Sequence, residues 1–302
     1  APQGSIYHRV LQEMGQAYAR ASGADARFII YPNSTQGTEA DTVRRMRVGQ
    51  LDASMLTVVG LSEIDRSVAA LQYMPMMFRS WEELDHVREK LRPALEAKLA
   101  AKGFVVLIWG EGGWVQFFTK EDIATPEQYR RARIFAWSGD IVQASVMKSQ
   151  GYHPVPIPLA DILPALETGM VDAVPVAPLW ALVGQFDRIA RHMLRVNWVP
   201  IVGATVMRRQ TYEAMKPEAR AALRAASDKA TEALRAHREA QDEGSIRAMQ
   251  ARGLQVRELT PELDAAWRAL AEKSWPHVRG TMVPAETFDR VQAILADYRG
   301  RK

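Results

Sequence analysis

The 302 residues contain no cysteine, which excludes disulfides, thiolate metal sites and a cysteine nucleophile. That lack fits an envelope protein built without disulfides and fits the cytosol as well. No apolar run approaches the ~20 residues needed to cross a bilayer. Charge of one sign is also scarce. Thirty-nine Lys and Arg face 35 Asp and Glu, for a net +4 despite a pI of about 9.3. Such a small, interspersed surplus argues against nucleic acid as a partner. Catalytic and cofactor signatures are missing too. There is no GxSxG, no Walker loop and no GxGxxG. The six histidines, His8, His86, His153, His192, His237 and His277, show no metal-ligand spacing, so neither metal nor cofactor is expected. With no nucleophile–base arrangement to name, the chain does not read as an enzyme. It opens abruptly on "APQGS", already a Pro/Gly turn, which suggests a processed N-terminus lacking its first strand.

What is present is a chain with 47% hydrophobic residues and alternating helical and strand patterns. Ile6, Val10, Met14 and Ala17 predict an amphipathic helix over 6–22. "RFIIYP" reads as a short strand. "TEAD" from Thr38 and "SWEE" from Ser80 read as capping boxes that open helices, to about Gly49 and toward Ala101. "LDASMLTVV" and "GFVVLIW" read as buried strands, and "GEGG" at 110–113 as a turn between strands. Thr125-Pro126 supplies an N-cap with proline at the first helical position. "RRARIFAWSGD" then reads as strand, turn and helix start, with the helix running to Gln150. "PVPIP", a helix over 159–168 and the strand "MVDAVPV" follow. Residues 217–252 predict a long helix, or two nearly continuous ones. "LQVREL" reads as a late strand, and helices from Pro261 and Pro284 close the chain. The alternation predicts an α/β protein with largely parallel sheets.

Trp109, Trp114, Phe117, Phe118, Phe135, Trp137, Trp180 and Trp198 gather at predicted strand ends. As a group they favour an apolar, aromatic-walled pocket over ordinary core packing.

Three segments resemble one known family. They are "YPNSTQGTEADTVRRMRVGQLDASM", "MPMMFRSWEEL" and "HPVPIPLADILPALETGMVDAVPVAP". In order and spacing they are similar to the DctP-type solute-binding proteins of tripartite ATP-independent periplasmic (TRAP) transporters. The resemblance implies a two-lobed α/β, periplasmic-binding-protein-like fold with a ligand cleft between lobes and a long helix spanning both. One lobe would hold 1–120 and 205–250, the other 121–204 and 251–302 with the C-terminal helices. It implies no catalysis and no cofactor. It implies a periplasmic protein, its signal peptide removed, that passes a small organic ligand to TRAP membrane permease subunits. A monomer is expected, though a dimer also fits.

The site implied by the resemblance is where this sequence departs from the family. Relatives read "GLKIRV", and its Arg clamps a ligand carboxylate. The gap-free fit to "ARIF" puts Phe135 on that Arg; a shift of two would put Arg133 there, and the downstream spacing disfavours the shift. Val115 stands where a second Arg is common, and Pro175 and Val176 where a Glu-Asn pair is common. The expected ligand-binding residues are therefore Phe135, Trp137, Trp114, Val115, Glu39, Val176, Trp180 and Trp198. Glu39 is an acidic contact or a simple first-turn acid. Asp172 reads as structural. The expected ligand has a sizeable apolar or aromatic body. The competing readings are a sensor or carrier of hydrophobic molecules serving a periplasmic partner protein, and, more weakly, an enzyme on the same fold.

Overall fold

The computed structural model describes residues 3–23, 27–33 and 35–301. They form two compact units. Unit 1 comprises 1–68, 91–111 and 202–238; unit 2 comprises 69–90, 112–201 and 239–302.

Unit 1 begins with α1 (Ile6–Ser22), capped by the Ser5 hydroxyl, which accepts from His8 N–H. Val10 and Met14 are buried, four residues apart on one face. The expected strand at 27–32 does not form. Ile29 and Tyr31 stay exposed, while the partly buried Phe28 ring lies near Tyr18. An apolar run with no strand beside it has nothing to satisfy its backbone groups. α2 (Glu39–Arg47) carries the expected Thr38 box, closed by Asp41. β1 (Ala53–Thr57) is shorter than expected, because the Thr57 hydroxyl caps α3 (Val58–Ser62) and turns the two valines into a helix. α4 (Trp81–Ala101) starts at Ser80, but Glu83 takes the Arg79 N–H rather than the cap's own. β2 (Phe104–Trp114) runs straight through Gly110–Gly113, so the glycines belong to a strand and not to a turn.

The middle of the chain supplies β3 (Gln116–Thr119), α5 (Pro126–Arg131), β4 (Arg133–Trp137), α6 (Ile141–Ser149) and β5 (His153–Ile157). Then come α7 (Ile162–Glu167), β6 (Ala173–Val176), α8 (Pro178–Val183), β7 (His192–Arg195) and β8 (Pro200–Arg208). α9 (Arg209–Ala214) leads to α10 (Pro217–Gln250), a single continuous helix. β9 (Gln255–Glu258), α11 (Pro261–Val278) and α12 (Ala285–Gly300) follow.

A three-stranded sheet has the order β1-β8-β2, with β1 antiparallel to β8. A six-stranded sheet in unit 2 has the order β5-β4-β6-β3-β7-β9. The β4–β5, β4–β6 and β7–β9 pairs are parallel, while β3 is antiparallel to both β6 and β7. The six-stranded sheet is thus mixed rather than largely parallel. Strand alternation splits the core of unit 2 into two faces. Phe118, Phe135, Val174 and Met193 join α7, α8 and the end of α10 on one face. Phe117, Ile134, Ala173 and Leu194 join Trp267 of α11 on the other.

Candidate functional site

In mixed α/β sheets the carboxyl ends of the parallel strands are where ligands are met. In unit 2 that edge is set by register. Trp137 pairs with Ile157, and Val176 with Gln116. Because β3 runs antiparallel, its beginning lies at the same edge as the ends of β4, β6 and β7. The edge thus collects Ile157, Trp137, Val176, Gln116, Arg195 and Glu258 in strand order.

Its β4–β6 half is apolar. Arg133, Phe135 and Trp137 share one face of β4. Phe135 is 4% exposed and packs in the core with Val176, while Trp137 and Trp180 are partly buried against it. The Phe135 and Trp137 rings meet edge to face at 6.4 Å. Arg133 sits at the opposite end of the strand. Its guanidinium forks onto Asp172, Nε to Oδ2 at 2.7 Å and Nη2 to Oδ1 at 2.8 Å. Asp172 N–H also donates to Arg133 O at 2.8 Å. Arg133's hydrogen bonds hold the Asp172 carboxyl below the usual carboxylate range. Asp172 therefore fastens the start of β6 to the start of β4. Beyond Trp137, buried Asp140 caps α6 by accepting from Gln143 N–H and accepts a hydrogen bond from the Tyr73 hydroxyl on its other oxygen. Burial raises its pKa despite those bonds.

The β3–β7 half is polar. Buried Gln116 accepts from the N–H groups of Val196 and Asn197 and donates to Asn197 Oδ1 at 2.7 Å. This holds Asn197 at φ 46°, a left-handed conformation that asparagine tolerates. Trp114 packs on Trp81 at 4.9 Å between ring centroids. Its N–H donates to Asp242 Oδ2 at 3.1 Å, whereas Asp242 Oδ1 is buried without a hydrogen-bond partner among the described residues. Burial pushes the Asp242 pKa up to about 7, with Glu243 adding to the rise and Arg195 opposing it. Gly113 makes room for this carboxyl. At φ 98° any side chain is strained there, and a Cβ would stand 2.4 Å from Asp242 Oδ1.

The structure does not gather all the residues expected from sequence. Phe135, Trp137, Val176 and Trp180 share one cluster. Val115 and Trp198 belong to the opposite face of the sheet, where Trp198 packs edge-on to Trp267 at 6.0 Å. Phe117 stacks on Tyr129 in that same core, and Trp109 of unit 1 donates to Glu96, so the eight aromatics do not wall one pocket. Glu39 lies in unit 1. Its carboxylate receives Thr57 N–H, Thr57 Oγ1 and Gly60 N–H at 2.7–3.0 Å, and burial raises its pKa. It anchors the start of α3, and a Cβ on Gly60 would stand 2.7 Å from it. Sequence reasoning missed Tyr73, Gln116 and Asp242. Each acts through a partner far along the chain, so no local pattern marks it. Among the described residues no group of three or more His, Asp or Glu is placed to hold a metal ion, and no helix is long and apolar enough to cross a membrane.

The model of the DctP family, bacterial extracellular solute-binding protein family 7, matches residues 1–280. The C4-dicarboxylate-binding periplasmic protein DctP of Rhodobacter capsulatus is 21% identical over 89% of this chain and 80% of its own length. The 2,3-diketo-L-gulonate-binding periplasmic protein of Escherichia coli is 23% identical over 73% of this chain and 67% of its own. Among solved structures, a TRAP periplasmic solute-binding protein of Xanthobacter autotrophicus with bound β-D-galacturonate superposes with a TM-score of 0.86 at 18% identity, over 98% of this chain and 97% of the other. A Bordetella pertussis extracytoplasmic receptor binding pyroglutamic acid gives the same TM-score at 16% identity, over 98% and 96%. The two-lobed fold expected from sequence is thereby established, and the chain belongs to the DctP family of bacterial extracellular solute-binding proteins.

Proposed function

We propose that this protein captures, in the periplasm, a small organic ligand with a sizeable apolar body and hands it to a TRAP membrane permease. The ligand packs on the edge formed by Trp137, Val176 and Trp180. The observation that carries this reading is the burial of Phe135 where the family resemblance places a carboxylate clamp, together with the capture of Arg133 by Asp172. A ligand acid of the kind named for the relatives therefore meets no guanidinium on β4. Each apolar group buried there contributes about 1.5–3 kcal/mol. A dicarboxylate would leave its second charge unpaired at a cost.

The test is twofold. Mass spectrometry of what the purified protein releases on denaturation should show an organic molecule with an aromatic or long aliphatic portion. Calorimetric titration with that molecule should then show weaker binding in Trp137→Ala, by roughly tenfold or more for one lost ring contact. Tight binding of succinate or D-galacturonate by the wild type, weakened by Trp137→Ala, would sink the apolar reading and leave solute capture intact.

A further inference from the structure

A cavity of about 210 Å³ opens at the far end of the same sheet edge, beyond β7 and β9 and wholly within unit 2. Its polar lining is Arg79, Arg195, Asn197, Glu258, Asp264 and Arg268, and the rest is apolar. Three guanidiniums thus line it with two carboxylates, and Glu243 outside the lining holds the terminal nitrogens of Arg195. Both carboxylates are engaged. Asp264 Oδ2 accepts from Arg268 Nε at 2.6 Å, and Glu258 Oε1 lies 3.0 Å from Arg195 Nε. Glu83 takes two hydrogen bonds of 2.8 and 2.7 Å from Arg299 and one from the backbone N–H of Arg79, so it bonds the Arg79 main chain and not its guanidinium.

The donors are in surplus. Arg79 is exposed, and its guanidinium makes no hydrogen bond among the described residues. Among the described residues Arg268 bonds only through Nε, so its terminal nitrogens are open there. Asn197 uses its carbonyl oxygen on Gln116, and its side-chain amide N–H groups make no hydrogen bond among the described residues. Arg195 Nε is buried without a hydrogen bond, because Glu258 is close but misaligned. A pocket whose two acids are both ion-paired and which still holds open charged donors is complementary to an oxyanion, which supplies acceptors in a fork or a tripod.

We propose that this cavity is a second binding site, distinct from the apolar edge, and that it takes a small free oxyanion of the carboxylate or sulfate/phosphate type. β6 and β9 stand three strand spacings apart, roughly 14 Å. The site can therefore fill without touching Trp137.

Sulfate and acetate, titrated separately at ionic strength held constant with chloride, test this by calorimetry and by thermal midpoint. At least one should saturate, and which one names the class. Arg79→Gln should weaken that anion roughly tenfold, the worth of a charge-assisted hydrogen bond. Without anion its midpoint should fall only slightly, since the Arg79 charge adds a minor stabilisation to Glu83, which Arg299 already pairs. Arg268→Gln provides a second, independent loss, and Trp137→Ala should leave the anion's affinity unchanged. Failure of both anions to saturate beyond the effect of chloride overturns the proposal. So does saturation that Arg79→Gln and Arg268→Gln leave untouched.

Discussion

At β4 and β6 the sheet edge ends in Trp137 and Val176; at β7 and β9, in the same sheet, it ends in Arg195 and Glu258. The two halves treat charge differently. In the first, the arginine of the strand lies at the opposite end, half exposed and forked onto Asp172. In the second, Arg195 stays at the edge, partly buried, but with Glu243 Oε1 at 2.7 Å and Glu258 at 3.0 Å. Taking an ion out of water costs several kcal/mol, which only a close counter-ion offsets. The edge can therefore carry guanidiniums where acids stand beside them, and must be apolar where none do. Asp242 sits near the boundary and shows the intermediate case, a buried acid that holds its proton to about pH 7.

The strongest way to break this contrast is to place a charge in the apolar half. Phe135→Arg puts a guanidinium into a core cluster of apolar side chains. The expected loss is about 3–5 kcal/mol of stability, the cost of an uncompensated buried charge. Urea unfolding measures it, and binding of the released native ligand should fall with it. A variant of wild-type stability that gains affinity for a simple monocarboxylate would show that this half tolerates ions after all.

Much of the frame was legible from local chemistry. Thr38 with Asp41, Thr125 with Pro126, and the 3.6-residue spacing of Val10 and Met14 each name a partner within four residues, and the helices formed as expected. The departures arose where the partner is remote. "RFIIYP" has strand composition but no neighbouring strand, and "GEGG" has turn composition but lies in β2. For the site, reading the strand against its relatives made Phe135 a ligand contact beside Trp137 or Trp114, whereas the structure packs it in the core against Trp137. The polar half was not legible. Arg195 draws on Glu243 in α10 and Glu258 in β9, which no spacing rule connects. The Gln116–Asn197 clasp joins residues 81 apart.

The boundary can be sharpened through Asp242. Its folded pKa of about 7 lies above the ordinary carboxyl value of about 3.9, so the folded state holds a proton that the unfolded chain has released. For an acid shifted in that direction, stabilisation is full below the unfolded value and is lost as pH rises toward 7. Asp242→Asn removes the titration while keeping an acceptor for Trp114 N–H. Relative to wild type, the variant should gain about 2–4 kcal/mol between pH 4 and pH 8. Denaturant midpoints at the two pH values read that difference directly. A variant-minus-wild-type difference independent of pH would mean that Asp242 is ionised throughout, and that the boundary is as tolerant of charge as the β7–β9 half.

The smallest effect belongs to Asp172, and it bears on why Arg133 is absent from the edge. The fork is well aligned but lies at the surface, with side-chain exposures of 54% for Arg133 and 27% for Asp172. Solvent screens such a pair, so Asp172→Asn should lower the thermal midpoint by only about 2 °C at neutral pH. The sign of its pH dependence is opposite to that of Asp242. Arg133's hydrogen bonds depress the Asp172 pKa in the folded state. Its stabilisation is therefore present above the unfolded carboxyl value and is lost as pH falls through the folded one. The difference between wild type and variant should close in acid. Ligand affinity should stay unchanged, because the freed guanidinium remains at the opposite end of β4 from Trp137. If Asp172→Asn instead created binding for small carboxylates, Arg133 would be the clamp that the gap-free reading assigns to Phe135, held in reserve by its acid.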